Sequence, residues 1–175
     1  MRIKFAVSFS IAICLLMISS VAPAATAATA DVVISSAWVR SATSADQAMM
    51  MTGMFAKITN KTKNTITLTG GSSTFAGMVE VHQMINGVMS KKDGGIKIAP
   101  GKSVLLQPGG LHVMLLGLKK KILPGTLVDL KLKFSGVFGK AKTKTVVVKK
   151  LIGKISAAGG ESYTPSPSPS MTPTN

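Results

Sequence analysis

Cysteine occurs once in the 175 residues, at Cys14 within an apolar N-terminal run that reads as an export leader. Removal of that leader leaves a chain with neither disulfide nor thiolate. A Cys-ligated metal, a cysteine nucleophile and a blue-copper electron-transfer centre are thereby excluded. Acidic residues number only 6 against 21 basic ones, and they are scattered. No Gly-x-Ser-x-Gly elbow and no glycine-rich phosphate loop leading into a helix is present, so nothing points to an enzyme. Aromatic residues make up 5% of the chain and do not interleave with the basic ones, and one arginine, Arg40, remains after the leader. Nucleic acid, which needs stacking platforms between its cationic contacts, is disfavoured as a partner.

The leader is expected to span 1–30. Arg2 and Lys4 precede the apolar run from Phe5 to Val21, and Ala28-Thr29-Ala30 gives a cleavage pattern before Asp31. Ala22-Pro23-Ala24 and Ala25-Thr26-Ala27 are competing patterns. Ile13 precedes Cys14 where a lipid-attachment site wants a small residue, so Cys14 reads as part of the leader. The last stretch, 157–175, is rich in Ser, Thr and Pro, cannot build a core and is expected to be disordered. Residues 31–156 are then expected to form one domain. Without Arg2 and Lys4 the chain keeps 19 basic residues against 6 acidic ones, a formal charge of +13. That excess calls for an anionic partner such as a membrane or wall surface or an acidic protein.

Short alternating runs with turn residues between them predict an all-β Greek-key sandwich or barrel of eight or nine short strands. Val32 to Arg40 is a first strand with Trp38 as a core anchor, and Met49 to Asn60 is a second. Thr65 to Thr69 ends at Gly70-Gly71, and Ser72 to Gly77 reads as loop. Met78 to Ile85 returns through Asn86-Gly87 into Val88-Met89-Ser90, the strongest short hairpin signal in the chain. Ile96 to Ile98, Ser103 to Gln107, the strand holding His112, Leu127 to Phe134 and Thr143 to Ile152 complete the set.

Both histidines occur as His-x-Met, in His82-Gln83-Met84 and His112-Val113-Met114. In a strand, residues two apart share a face at about 6.6 Å, so each pair can reach one small ion. Imidazole with thioether, and no thiolate, suits soft Cu(I) better than zinc, magnesium or calcium. Glu80 falls on the His82 face, where it can orient that imidazole or simply face solvent. Met49-Met50-Met51 is an auxiliary soft patch or, the preferred reading, strand and core packing. Neutral imidazoles must lose their protons to bind metal, so binding is expected to weaken as the medium acidifies through the imidazole range.

Several segments together resemble the PCu(A)C-type periplasmic copper chaperone family. They are Ala37-Trp38-Val39-Arg40, Phe55-Ala56-Lys57-Ile58-Thr59-Asn60, Val79-Glu80-Val81-His82, Ile98-Ala99-Pro100-Gly101 and Pro108-Gly109-Gly110-Leu111-His112-Val113-Met114. The resemblance implies a cupredoxin-like sandwich that binds one Cu(I) and supplies copper centres of a haem-copper (cytochrome c) oxidase, directly or with a cooperating copper chaperone. It carries over as ligands His82, His112 and Met114. The family's remaining methionine aligns near Lys91, so Met89 is the expected replacement and Met84 the alternative. Lys119-Lys120-Lys121 is a candidate steering patch for an acidic acceptor. The rival reading is an exported basic sandwich that grips anionic envelope polymer or membrane, its histidines incidental.

Overall fold

The computed structural model describes residues 25–28, 31–42 and 51–154. Among these residues eleven strands run in chain order: β1 (Ala25–Ala28), β2 (Val32–Arg40), β3 (Met51–Asn60), β4 (Ile66–Ser72), β5 (Ala76–Ile85) and β6 (Val88–Lys91). They continue as β7 (Ile96–Ile98), β8 (Ser103–Leu106), β9 (His112–Leu118), β10 (Leu127–Phe138) and β11 (Ala141–Lys154). The all-β expectation holds, with more strands than the eight or nine read from the sequence. The strands hydrogen-bond in the order β2-β11-β10-β4-β5-β9-β3, and β3 pairs back onto β2. The sheet therefore closes into a barrel-like sandwich of the cupredoxin-like class, which removes most free edges. Among the described residues no helix is long and apolar enough to cross a membrane.

Strict alternation builds the interior. Val128, Leu130, Leu132 and Phe134 on β10 point inward together with Val146 and Val148 on β11, all at 0–1% exposure. Ile34, Met54, Ile58, Leu68 and Leu115 meet them from the other strands. Each such side chain contributes on the order of 1.5–3 kcal/mol by leaving water.

Trp38 does not join this core. Ser36 has a left-handed backbone (φ 53°), and the β2–β3 register slips between Ser35 and Trp38. This bulge shifts the alternation by one residue, so Ala37 and Val39 fill the interior. The indole lies half-buried on the outer face against Phe55, ring centroids 4.6 Å apart.

Gly70-Gly71 does not end β4 either. A Cβ on Gly71 would lie 2.2 Å from the Lys131 carbonyl oxygen, and one on Gly70 would lie 2.9 Å from that of Val79. Here glycine permits close approach of neighbouring backbones, and the strand continues to Ser72. The expected loop shrinks accordingly, because β5 begins at Ala76.

β1 lies inside the segment expected to leave with the leader. It pairs with β2 from Val33 to Ala37. A chain cut after Ala30 lacks this strand, whereas one cut after Ala24 keeps it. The first 24 residues of the expected leader, Met49, Met50 and the expected tail at 157–175 lie outside the described residues.

Candidate metal centre

Two turns set the geometry of the site. Asn86 and Gly87 both have positive φ (51° and 77°), as a two-residue type I′ hairpin requires. The hairpin folds β6 back on β5 with Met84 opposite Met89 and His82 opposite Lys91. The second turn, Pro108 to Leu111, is closed by the Gly110 N–H donating to the Gln107 carbonyl (3.1 Å) and the Gln107 N–H donating to the Leu111 carbonyl (2.8 Å). Gly109 takes φ 73° there, which glycine adopts without strain. This turn launches β9 so that His112 stands opposite His82 and Met114 opposite Glu80.

Val79, Val81, Val113 and Leu115 point into the core, so Glu80, His82, His112 and Met114 share the outer face. That face is covered nonetheless: His82 is 8% exposed, His112 3% and Met114 5%. The imidazole centroids are 6.0 Å apart, and Phe55 backs His112 at 6.2 Å. The Met89 sulfur lies 3.2 Å from His112 Nε2. Met51, Glu80, His82, Met89, Lys91 and Met114 line a cleft of about 310 Å³, with Ser90 and Leu116.

Hydrogen bonds set the tautomer of each ring. His112 Nδ1 donates to the Gly110 carbonyl (2.9 Å), and a carbonyl can only accept. In the neutral ring Nε2 then carries a lone pair, and it faces the Met89 sulfur. His82 Nε2 donates to Glu80 Oε2 (3.3 Å). Its Nδ1 is left as a buried lone pair with no hydrogen-bond partner. An orphaned buried acceptor next to a second imidazole and two thioethers fits a soft cation. Glu80 also accepts a bond from Lys91 Nζ (2.7 Å). That bond, seconded by the one from His82, holds the Glu80 carboxyl below the usual carboxylate range against the opposing effect of burial, and Glu80 in turn raises Lys91. Glu80 thus orients His82, as its place on the strand face allowed.

Of the expected ligands, His82, Met89 and Met114 line one cleft, and His112 stands beside it, its Nε2 3.2 Å from the Met89 sulfur and its ring 6.0 Å from that of His82. Met84, paired opposite Met89, is half-buried and does not line the cleft. Met51 does line it, contrary to the core-packing expectation for this residue; its position follows from the pairing of β3 with β9, where Met51 faces Leu116. No group of three or more His, Cys, Asp and Glu side chains able to hold a metal occurs among the described residues, so sulfur from methionine is needed to complete a site.

A family model described as LpqE-like, for a lipoprotein family, matches residues 32–149. The chain belongs to the LpqE-like family. A relative from Leifsonia xyli subsp. xyli, named as a lipoprotein (Lxx21020), is 33% identical over 106 residues. That match covers 58% of this LpqE-like chain and 61% of the relative's length. Among solved structures, the copper-bound PCuAC domain from PmoF2 superposes with a TM-score of 0.57 at 21% identity, over 73% of this chain and 97% of that domain. The apo PCuAC domain from PmoF1 does so at 0.56 and 19%, over the same shares. The expected kinship with PCu(A)C-type domains therefore holds for the LpqE-like chain at the level of the fold.

Proposed function

We propose that this LpqE-like protein is an extracytoplasmic copper chaperone, not an enzyme, that carries one Cu(I) between the His82 and His112 imidazoles and the Met89 and Met114 thioethers. The observation that supports it most is the convergence of His112 Nε2 and Met89 Sδ, 3.2 Å apart, beside the orphaned Nδ1 of His82. With Nδ1 of the neutral ring donating to the Gly110 carbonyl, Nε2 and the thioether sulfur can both offer electron pairs to a shared cation. The likeness to a copper-bound PCuAC domain supports the same reading. All four donors are neutral, so the site leaves the charge of Cu(I) uncancelled and releases it to a better-matched acceptor.

The acceptor in this reading is a copper centre of a haem-copper oxidase or a cooperating chaperone. The lipoprotein descriptions of the family and of the Leifsonia relative support an exported protein held at a membrane. Anaerobic titration with Cu(I) against a chromophoric chelator tests the proposal, together with copper-edge absorption of the loaded protein. One equivalent bound with mixed nitrogen and sulfur neighbours is expected. Absence of stoichiometric binding, or binding indifferent to loss of His112, overturns it.

A further inference from the structure

A second cleft, of about 650 Å³, opens at the other end of the molecule. Three lysines line it: Lys119 just beyond β9, Lys131 on β10 and Lys149 on β11. Lys119 is held there by its backbone N–H donating to the Phe75 carbonyl (2.9 Å). Lys131 sits in register with Ser72 on one side and Val147 on the other, so β4, β10 and β11 together form the floor. Ser72 and Thr74 add exposed hydroxyls at the rim. Lys91 and Lys144 are tied to Glu80 and Asp31, whereas none of the three cleft lysines has an ion-pair partner among the described residues. The single carboxylate in the cleft, Asp129, accepts the Lys150 backbone N–H (2.9 Å). The cleft thus carries a net charge of about +2 at close quarters, which acts beyond the general basicity of the surface.

We propose that this cleft binds a phosphate-type oxyanion, three ammonium groups supplying charge and the rim hydroxyls supplying donors. The volume exceeds what a bare ion fills and lies in the range of sites that take a small organic ligand. Val147 (40% exposed) in the cleft wall gives it an apolar flank. These features match the phosphate of a lipid headgroup as well as a free phosphate. The metal cleft lies elsewhere. His82 and His112 form one end of the β5–β9 ladder, and Ala76 and Leu118, next to Ser72–Thr74 and Lys119, form the other. Six residues of strand separate the two ends, about 20 Å. Occupancy here leaves the copper cleft open, so this inference stands independently of copper binding.

The test compares the full exported chain with Lys119→Gln/Lys131→Gln/Lys149→Gln and with a charge-matched control, Lys61→Gln/Lys63→Gln/Lys102→Gln, whose lysines are exposed elsewhere. Inorganic phosphate is titrated by amide NMR, and cosedimentation is measured with phosphatidylcholine vesicles with and without phosphatidylglycerol. Expected are phosphate-induced shifts centred on residues 72–74, 119, 131 and 149, or binding to the anionic vesicles. Either must fall at least tenfold in the cleft variant and less than twofold in the control. Binding to vesicles alone identifies a lipid headgroup as the source, and binding to phosphate alone a soluble phosphate. Equal losses in the two variants reduce the effect to net charge and overturn the proposal, as does wild-type protein that binds neither probe.

Discussion

His82 and His112 stand directly opposite each other across the β5–β9 ladder, their ring centroids 6.0 Å apart, and each has its proton fixed on a different nitrogen. The Gly110 carbonyl holds the proton on Nδ1 of His112, and the Glu80 carboxylate holds it on Nε2 of His82. The tautomers are therefore set by a backbone carbonyl and a carboxylate outside the proposed donor set, the arrangement by which hydrogen-bond partners raise the basicity of ligating imidazoles. The two histidines lie thirty positions apart in the chain, and the β5–β9 pairing brings them together after the chain has passed through β6, β7 and β8.

Replacement of individual donors separates ligands from bystanders. His112→Ala is expected to lower Cu(I) affinity by about 100-fold or more, since removal of an outer partner alone typically costs roughly 10–100-fold. Met89→Leu, which keeps the volume and removes the sulfur, is expected to lower it by about tenfold. Met84→Leu, directly opposite Met89 on the hairpin but outside the cleft lining, should leave it within about twofold. Chelator competition under anaerobic conditions measures all three, and a Met84 effect equal to that of Met89 would reassign the sulfur donor.

Much of this arrangement was legible in the chain. Asn86-Gly87 specifies a hairpin whose two-residue turn sets the Met84–Met89 register, and Pro108-Gly109-Gly110 marks the break that aims His112. The place of Met51 in the cleft was not legible, because it depends on β3 lying beside β9, a pairing between segments some sixty residues apart. Trp38 misled for a local reason: the bulge sits at Ser36, a residue type that gives no warning of positive φ. Gly70-Gly71 has the composition of a turn but the role of a clearance between three backbones. The lysine run after β9 follows the site strand in sequence, yet the strand carries Lys119 away from His112 and into the second cleft.

The Glu80–Lys91 pair gives a pH dependence of definite sign. Glu80 is held below the ordinary carboxylate range, chiefly by the hydrogen bond from Lys91. A depressed native-state value stabilises the fold above the unfolded carboxylate range, and that contribution fades as pH falls through the native value. Lys91→Met removes the largest cause, so the Glu80 titration followed by carbon-detected NMR should move upward. Denaturant midpoints of variant and wild type should differ at neutral pH and converge in acid, where Glu80 is protonated in both. A gap that persists unchanged in acid would assign the loss to packing of the lysine stem.

The turn before His112 is sensitive at Gly109. No atom outside its neighbours lies within 4 Å of a Cβ built there, so space is available and only the φ of 73° opposes a side chain. Gly109→Ala is expected to cost about 1–2 kcal/mol of stability, the left-handed penalty for an L-residue. Gly109→Asn should cost less, because asparagine tolerates that region. Denaturant unfolding ranks the two, and equal costs would indicate that the side chain itself collides.

Closure of the barrel makes its floor the most sensitive part of the fold. Phe134 is fully buried, and its strand is paired on both sides, to Lys144 on β11 and to Leu68 on β4. Truncation there leaves a cavity that paired backbones on both flanks cannot collapse to fill. Phe134→Ala is expected to cost about 3–5 kcal/mol. Trp38→Ala removes a larger ring from the half-buried outer face, where water can occupy the vacated space, and should cost clearly less. Chemical denaturation of the two variants decides the order. The reverse order would mean that the stack of Trp38 on Phe55, which backs His112, contributes more to the fold than the interior it covers.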